Sequence, residues 1–227
     1  MKKVLLIALG FFAFTANAQE EVSYKPTTGT VTTEVGLTGG LNNANFNLNG
    51  GALKFRYFLK EDLAVRVGLG IDNEKNERDG SDNYTGFSFP LVVNGNLTTT
   101  DNVSNIKLGI EKHFAGSNRL STYGGADLIL GFGKNDSEVL AENGNYLRRN
   151  EKTTNFGVAV FTGADYYIAQ KVYLGVEAGL NFISTKVKDT EISGKLGNNE
   201  ESDTINGSKE SNFNSNVFGG IRIGFQF

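Results

Sequence analysis

Cysteine is absent from the 227 residues of this chain. No disulfide can brace it, so what holds it together is backbone pairing and burial. Proline is scarce, at 2 residues, and glycine plentiful, at 29; both suit a strand-rich chain whose backbones approach closely. Past the N-terminal segment there is no run of roughly 18 apolar residues, so no transmembrane helix is expected in the rest of the chain. A chain without such a helix can still cross a membrane, but only as a closed barrel, because every backbone N–H and C=O must be paired inside lipid. Basic residues are not in excess. The formal balance is 22 − 25 = −3, and it becomes 20 − 25 = −5 once Lys2 and Lys3 are removed. That mild acidity argues against nucleic acid as a partner. Histidine occurs once, at His113, and no cluster has metal-ligand spacing, so neither metal nor cofactor is expected.

Residues 1–18, MKKVLLIALGFFAFTANA, have the layout of a cleaved signal peptide. Lys2 and Lys3 give the positive start, Val4 to Phe14 the apolar run, and Ala16-Asn17-Ala18 the small-x-small cleavage site. The run is too short to cross a bilayer, which takes about 20 residues. The domain organisation is then a signal peptide at 1–18, a polar lead-in at 19–29 and one barrel over 30–227.

Alternation of apolar and polar residues is the strongest signal in that barrel region. Strict period-2 patterning puts the two sets on opposite faces of a strand. It predicts strands at about 30–40, 50–59, 63–72, 104–114, 121–132, 155–167, 172–183 and 213–227. That is eight strands of roughly ten residues, the length a tilted strand needs to cross a bilayer. Tight turns at 59–62, 115–118 and 169–170 alternate with longer polar links at 41–49, 73–102, 133–154 and 186–211. Short turns at one end and long links at the other predict an all-β, eight-stranded antiparallel up-and-down transmembrane β-barrel with both termini in the periplasm.

A soluble eight-stranded barrel would bury its apolar face and expose its polar one. Here the non-apolar face is rich in glycine, including Gly68, Gly109, Gly125, Gly163, Gly175 and Gly224, which suits a narrow lumen better than a solvated exterior. The same face carries Glu34, Glu111, Asp127, Asp165 and Glu177 against Lys54, Arg56, Arg66, Lys107 and Arg222. Five against five is the balance a confined interior requires, because an unpaired buried charge is very costly. This lumenal charge network is expected to begin with Arg66–Glu111 and Lys107–Asp127 pairs between neighbouring strands. Tyr57, Phe114, Tyr123, Tyr166 and Phe227 lie beside the tight turns and could form an aromatic girdle, with Tyr123 the weak member because alternation puts it on the face of Asp127.

Four segments carry a resemblance to a known group: YFLKEDLAVRVGLG at 57–70, LGIEKHFAGSNRLSTYGGAD at 108–127, GADYYIAQKVYLGVEAG at 163–179 and VFGGIRIGFQF at 217–227. Together they resemble the small eight-stranded outer-membrane barrels of the OmpA/OmpX type, the porin-family branch. The resemblance implies residence in the outer membrane of a Gram-negative bacterium and contact with its lipid. It also implies that Phe225 and Phe227 form the C-terminal signal recognised by the barrel-assembly machinery.

The expected role is structural: a monomeric, non-enzymatic barrel whose loops meet an unknown extracellular partner in adhesion or surface interaction. One alternative is a narrow porin-like channel for ions or small solutes, although an eight-stranded lumen is only wide enough for its own side chains. Another is a lipid A-modifying enzyme. His113 has Ser117 and Ser121 near it in sequence, but no acid to orient it is evident. Residues 84–100, YTGFSFPLVVNGNLTTT, hold alternating Phe87, Phe89, Leu91 and Val93, then Asn94-Gly95 as a hairpin turn. They read as a strand extension above the bilayer or as an exposed edge for a partner strand.

Overall fold

The computed structural model describes residues 23–40, 47–114, 116–207 and 212–227; at 37–40, 47–52 and 212–216 it describes the backbone alone. The signal peptide expected at 1–18 lies outside the described residues. Among the described residues ten strands follow one another: β1 (Val31–Gly40), β2 (Asn47–Lys60), β3 (Leu63–Tyr84), β4 (Leu91–His113), β5 (Leu120–Leu140), β6 (Tyr146–Ala169), β7 (Val172–Val187), β8 (Thr190–Leu196), β9 (Asn199–Ile205) and β10 (Asn212–Gln226).

Eight of them, β1 to β7 and β10, form a ring. Each of β1 to β6 pairs with the next, β7 pairs with β10, and β10 returns to β1. Every pairing is antiparallel. The alternation of the sequence decides which face turns in. Along β5, Leu128, Leu130 and Phe132 are exposed while Tyr123, Asp127 and Ile129 are buried. The pattern repeats on β3, where Val65, Val67 and Leu69 point out and Arg66 points in. A greasy exterior around a charged, glycine-lined interior is stable only where lipid is the solvent.

The strand extension read within 84–100 is present from Leu91 onward, but the rest of the links at 73–102 and 133–154 differ from the sequence expectation. They are strand for most of their length. β3 and β4 stay paired from Asp72–Val103 up to Tyr84–Leu91. β5 and β6 stay paired from Gly133–Thr153 up to Leu140–Tyr146. Apart from Phe87, Phe89, Leu91 and Val93, these stretches are Asn-, Thr- and charge-rich, with no apolar period to read. Once the membrane halves fix the register, the neighbouring backbones simply go on satisfying each other's hydrogen bonds. Asn94-Gly95 is therefore not a turn: Asn94 faces Ser81 and Gly95 faces Gly80 inside the β3–β4 ladder. The reversal falls at 85–90, where Pro90 has no N–H to offer a ladder.

The wall is lopsided. β3 to β6 run 21–24 residues each, whereas β1, β2, β7 and β10 run 10–16. The link at 186–211 is also not an irregular loop. It contains the β8–β9 hairpin, whose Glu191–Lys195 pairs with Asn150–Tyr146 of β6. The hairpin thus takes over the edge of β6 beyond the last β6–β7 pair, Thr153–Val187.

The tall end has its own small core. Phe87, Leu91, Val93, Val139, Leu147 and Ile192 are buried together, with Tyr84, Phe89, Leu97 and Ala141 against them. Leu91 and Val93 thus face inward and pack, rather than presenting an open apolar edge. Polar bonds tie the hairpin and the β3 and β6 walls across this core. The Tyr84 hydroxyl donates to Asp203, Ser88 donates from its hydroxyl and backbone N–H to Glu201, and Arg149 holds Asp82 at 2.7 Å. The hydrogen bond from Tyr84 keeps the Asp203 carboxyl below its usual range. Replacing Ile192 by alanine removes a buried side chain at about 2–5 kcal/mol. The expected result is fast proteolytic nicking within 188–207 while the membrane half stays resistant; an unchanged cleavage rate would contradict a packed cap.

At the tight-turn end the lead-in lies across the mouth. The Arg119 guanidinium sits 4.2 Å from the Tyr24 ring centre and donates to its hydroxyl at 2.7 Å. Gln226 donates to the Tyr24 carbonyl at 3.1 Å.

Candidate functional site

Each of the eight ring strands sends a charged side chain to the axis. β1 gives Glu34, β2 gives Lys54 and Arg56, β3 gives Arg66, and β4 gives Glu111. β5 gives Asp127, β6 gives Asp165, β7 gives Glu177 and β10 gives Arg222. Three arginines are the hubs. Arg56 reaches Glu34 at 2.6 Å and both Glu111 and Asp165 at 2.8 Å. Arg66 holds Asp127 with two parallel bonds of 2.7 and 2.5 Å, and reaches Glu177 at 2.7 Å and Glu111 at 3.3 Å. Arg222 reaches Glu177 at 2.6 Å, Asp165 at 2.8 Å and Glu34 at 2.9 Å. Lys54 adds a 3.0 Å bond to Glu177. Guanidinium suits these positions because its planar fork can serve several carboxylates at once.

Arg66 and Glu111 thus meet, as adjacent strands allow. Lys107 and Asp127 are not paired: Asp127 is taken by Arg66, and the Lys107 ammonium sits 5.2 Å from the Phe218 ring centre. The reason is a glycine. Gly109 of β4 stands between Arg66 and Asp127 in the register. A Cβ there would lie 2.0 Å from Asp127 Oδ1, so only a bare backbone lets the pair join across it. The same device recurs on the other side of the barrel. Gly175 of β7 stands between Asp165 and Arg222, and a Cβ there would lie 2.6 Å from both side chains. The Arg66–Asp127 and Arg222–Asp165 pairs therefore join strands two apart, while Arg66–Glu111 and Arg222–Glu177 join neighbours.

Sequence reasoning found no acid for His113. The structure supplies one. His113 is within hydrogen-bond distance of Glu111 Oε1 through Nε2, at 3.0 Å, and of Ser121 Oγ through Nδ1, at 2.8 Å. The signal was the strand period itself, which puts residues 111 and 113 on one face. The trio is closed off. Ser121 is 4% exposed, His113 lies between the Phe58 and Tyr123 rings, and Glu111 is already bound by Arg56 and Arg66.

On the outer surface, Tyr57, Phe114, Tyr166 and Phe227 are exposed around the tight-turn end. Tyr123 is fully buried in the lumen, where Arg222 donates to its hydroxyl. Lys112, on the apolar face, reaches the turn residue Asp62. Phe225 and Phe227 meet edge to face with ring centres 5.0 Å apart.

A closed ring of antiparallel strands, an apolar belt outside, ion pairs within, short turns at one end and a tall wall at the other define an outer-membrane β-barrel. Residues 42–227 match the model of a family described as "Putative OmpA-OmpF-like porin family", and the chain belongs to that family. Its place is accordingly the outer membrane of a Gram-negative bacterium. Among solved structures, a major outer membrane protein of Thermus thermophilus shares the fold at a TM-score of 0.53 and 12% identity, over 87% of this chain and 98% of that one. OprG of Pseudomonas aeruginosa matches at 0.48 and 15% identity, over 90% and 98%. The outer membrane protease OmpT of Escherichia coli matches at only 0.33 and 11% identity, over 88% and 94%. No curated protein matches the chain by sequence.

Proposed function

We propose that this protein is a display scaffold: a non-conducting, non-enzymatic, monomeric barrel that fixes a folded wall outside the cell, where it meets a surface partner. The observation that carries the reading is the state of the lumen. The side chains of Arg56, Glu111 and Asp165 have 0% exposure, and the aromatic rings of Phe58, Tyr167 and Tyr173 fill the axis below them. Ions crossing here would have to break bonds that leave charges unpaired in a dry interior. The enclosure of Ser121 argues in the same way against hydrolysis, since no substrate carbonyl can approach its hydroxyl. The final strand, with Phe225 and Phe227 at its end, is the part we assign to the barrel-assembly machinery.

Purified protein in planar bilayers is expected to give no stable unitary conductance. Steady single-channel steps would overturn the reading in favour of a porin. Lipid A extracted from cells with and without the protein is expected to have one and the same mass spectrum; a new acylation or deacylation product would replace the scaffold by an enzyme.

A further inference from the structure

The outward face of the tall wall carries three polar rows at successive heights above the apolar belt. The belt ends at Phe132 on β5 and Phe156 on β6, both exposed. The first charged row above it is basic. Lys134 and Lys152 are direct cross-strand partners, and Lys186 of β7 is opposite Thr154, next on that face. Like charges set opposite each other are unfavourable in a sheet unless something anionic lies between them. Above this row run two lines of hydrogen-bonding side chains, each continuous across five strands. One is Thr100–Asp136–Asn150–Glu191–Thr204; the other is Thr98–Glu138–Arg148–Ser193–Ser202. Both line one cleft of about 550 Å³.

Position and chemistry together limit the occupant. Two residues of a strand tilted about 40° climb roughly 5 Å, so Lys134 stands roughly 5 Å above Phe132, at phosphate height. The two lines lie two and four residues further along β5 and β6, on the sugar side of that height. Five strands at about 4.8 Å spacing span about 19 Å, enough for a short oligosaccharide. The lines offer what vicinal hydroxyls bind: carboxylates, an amide, a guanidinium and hydroxyl groups. Their charges are matched, with Lys134–Asp136 and Arg148–Glu138 both at 2.7 Å and Lys152–Glu191 at 3.8 Å. Lys134 and Lys152 are each about half exposed and spend one contact on a carboxylate, which leaves further ammonium donors available.

We propose that this face holds one molecule of a phosphorylated glycolipid of the surrounding outer leaflet. Its phosphates lie on the Lys134, Lys152 and Lys186 row, and its oligosaccharide lies along the two polar lines in the cleft. The site faces away from the lumen and does not depend on whether the wall also displays itself to a partner.

Native mass spectrometry of the full protein in detergent tests it with three probes: bis-phosphorylated lipid A carrying its core oligosaccharide, the same lipid A without the oligosaccharide, and the free oligosaccharide. The core-bearing lipid is expected to bind about tenfold more tightly than lipid A alone, and the free oligosaccharide more weakly than either. Lys134→Ala with Lys152→Ala weakens both lipids about fivefold or more. Thr100→Tyr with Ser193→Tyr fills the cleft and brings the core-bearing lipid down to the level of lipid A, leaving lipid A itself unchanged. Equal binding of the two lipids, or free oligosaccharide binding as well as the glycolipid, overturns the proposal. So does insensitivity to either pair of substitutions in variants whose heat-modifiable gel mobility shows a folded barrel.

Discussion

Replacing Arg56 by methionine lowers the stability of the barrel by about 3–5 kcal/mol, the cost of removing one partner from a buried ion pair. The loss does not lie in attraction forgone. Arg56 is the counter-ion of Glu34, Glu111 and Asp165 together, and all three carboxylates remain buried when it leaves. Water cannot take its place in a lumen this full without pushing the aromatic layer aside. Folded and unfolded bands resolved by gel electrophoresis across a urea series measure the change. Arg56→Lys recovers only part of it, because a single ammonium cannot serve three carboxylates in three directions. Adding Glu111→Gln to Arg56→Met recovers part as well, by removing one of the stranded charges. An Arg56→Met barrel within about 1 kcal/mol of wild type would mean that the lumen is wet and the pairs are weak.

Gly109→Val is expected to be at least as damaging although it removes no charge. Its Cβ would stand 2.0 Å from Asp127 Oδ1 and 2.6 Å from the Ala126 carbonyl oxygen. Asp127 can retreat, but only by leaving the two bonds it accepts from Arg66. Forced separation costs what removing a partner costs, about 3–5 kcal/mol, with about 1–3 kcal/mol for overpacking in addition. Gly68→Val serves as the comparison, since a Cβ there meets nothing closer than Lys107 Cβ at 3.4 Å. The same urea series should separate the two variants widely. Equal stabilities would show that the interior lacks the rigidity ascribed to it.

The membrane half of this molecule was legible because lipid imposes a period. Val65, Val67 and Leu69 alternate with Arg66 and Gly68, and only one facing satisfies both solvents. The upper half imposes none. Residues such as Thr98, Thr99 and Thr100 or Asn73 to Asn76 have the composition of a loop, and their pairing is inherited from the register below them. The identity of the lumenal charges was readable for the same reason as the belt. The Arg66–Glu111 pair was readable too, but Asp127's partner was not, because nearest-neighbour reasoning stops at the adjacent strand, whereas Gly109 and Gly175 let side chains meet across it. The His113–Glu111 contact lay within reach of the period-2 argument, since the two residues share a face. Its bond to Ser121 needed the β4–β5 register, which brings the His113 and Ser121 backbones into neighbouring positions.

A loop tolerates the gain or loss of one residue; a ladder does not. Because β3 to β6 are paired almost to their tips, a single deletion on one strand would turn every side chain beyond it to the other side, sending Leu91 and Val93 outward and Thr98 inward. Length change in this wall therefore has to come as even numbers, matched on both arms of a hairpin. Each such step of two residues per arm would shorten or raise the crown by roughly 5 Å while leaving its chemistry in place.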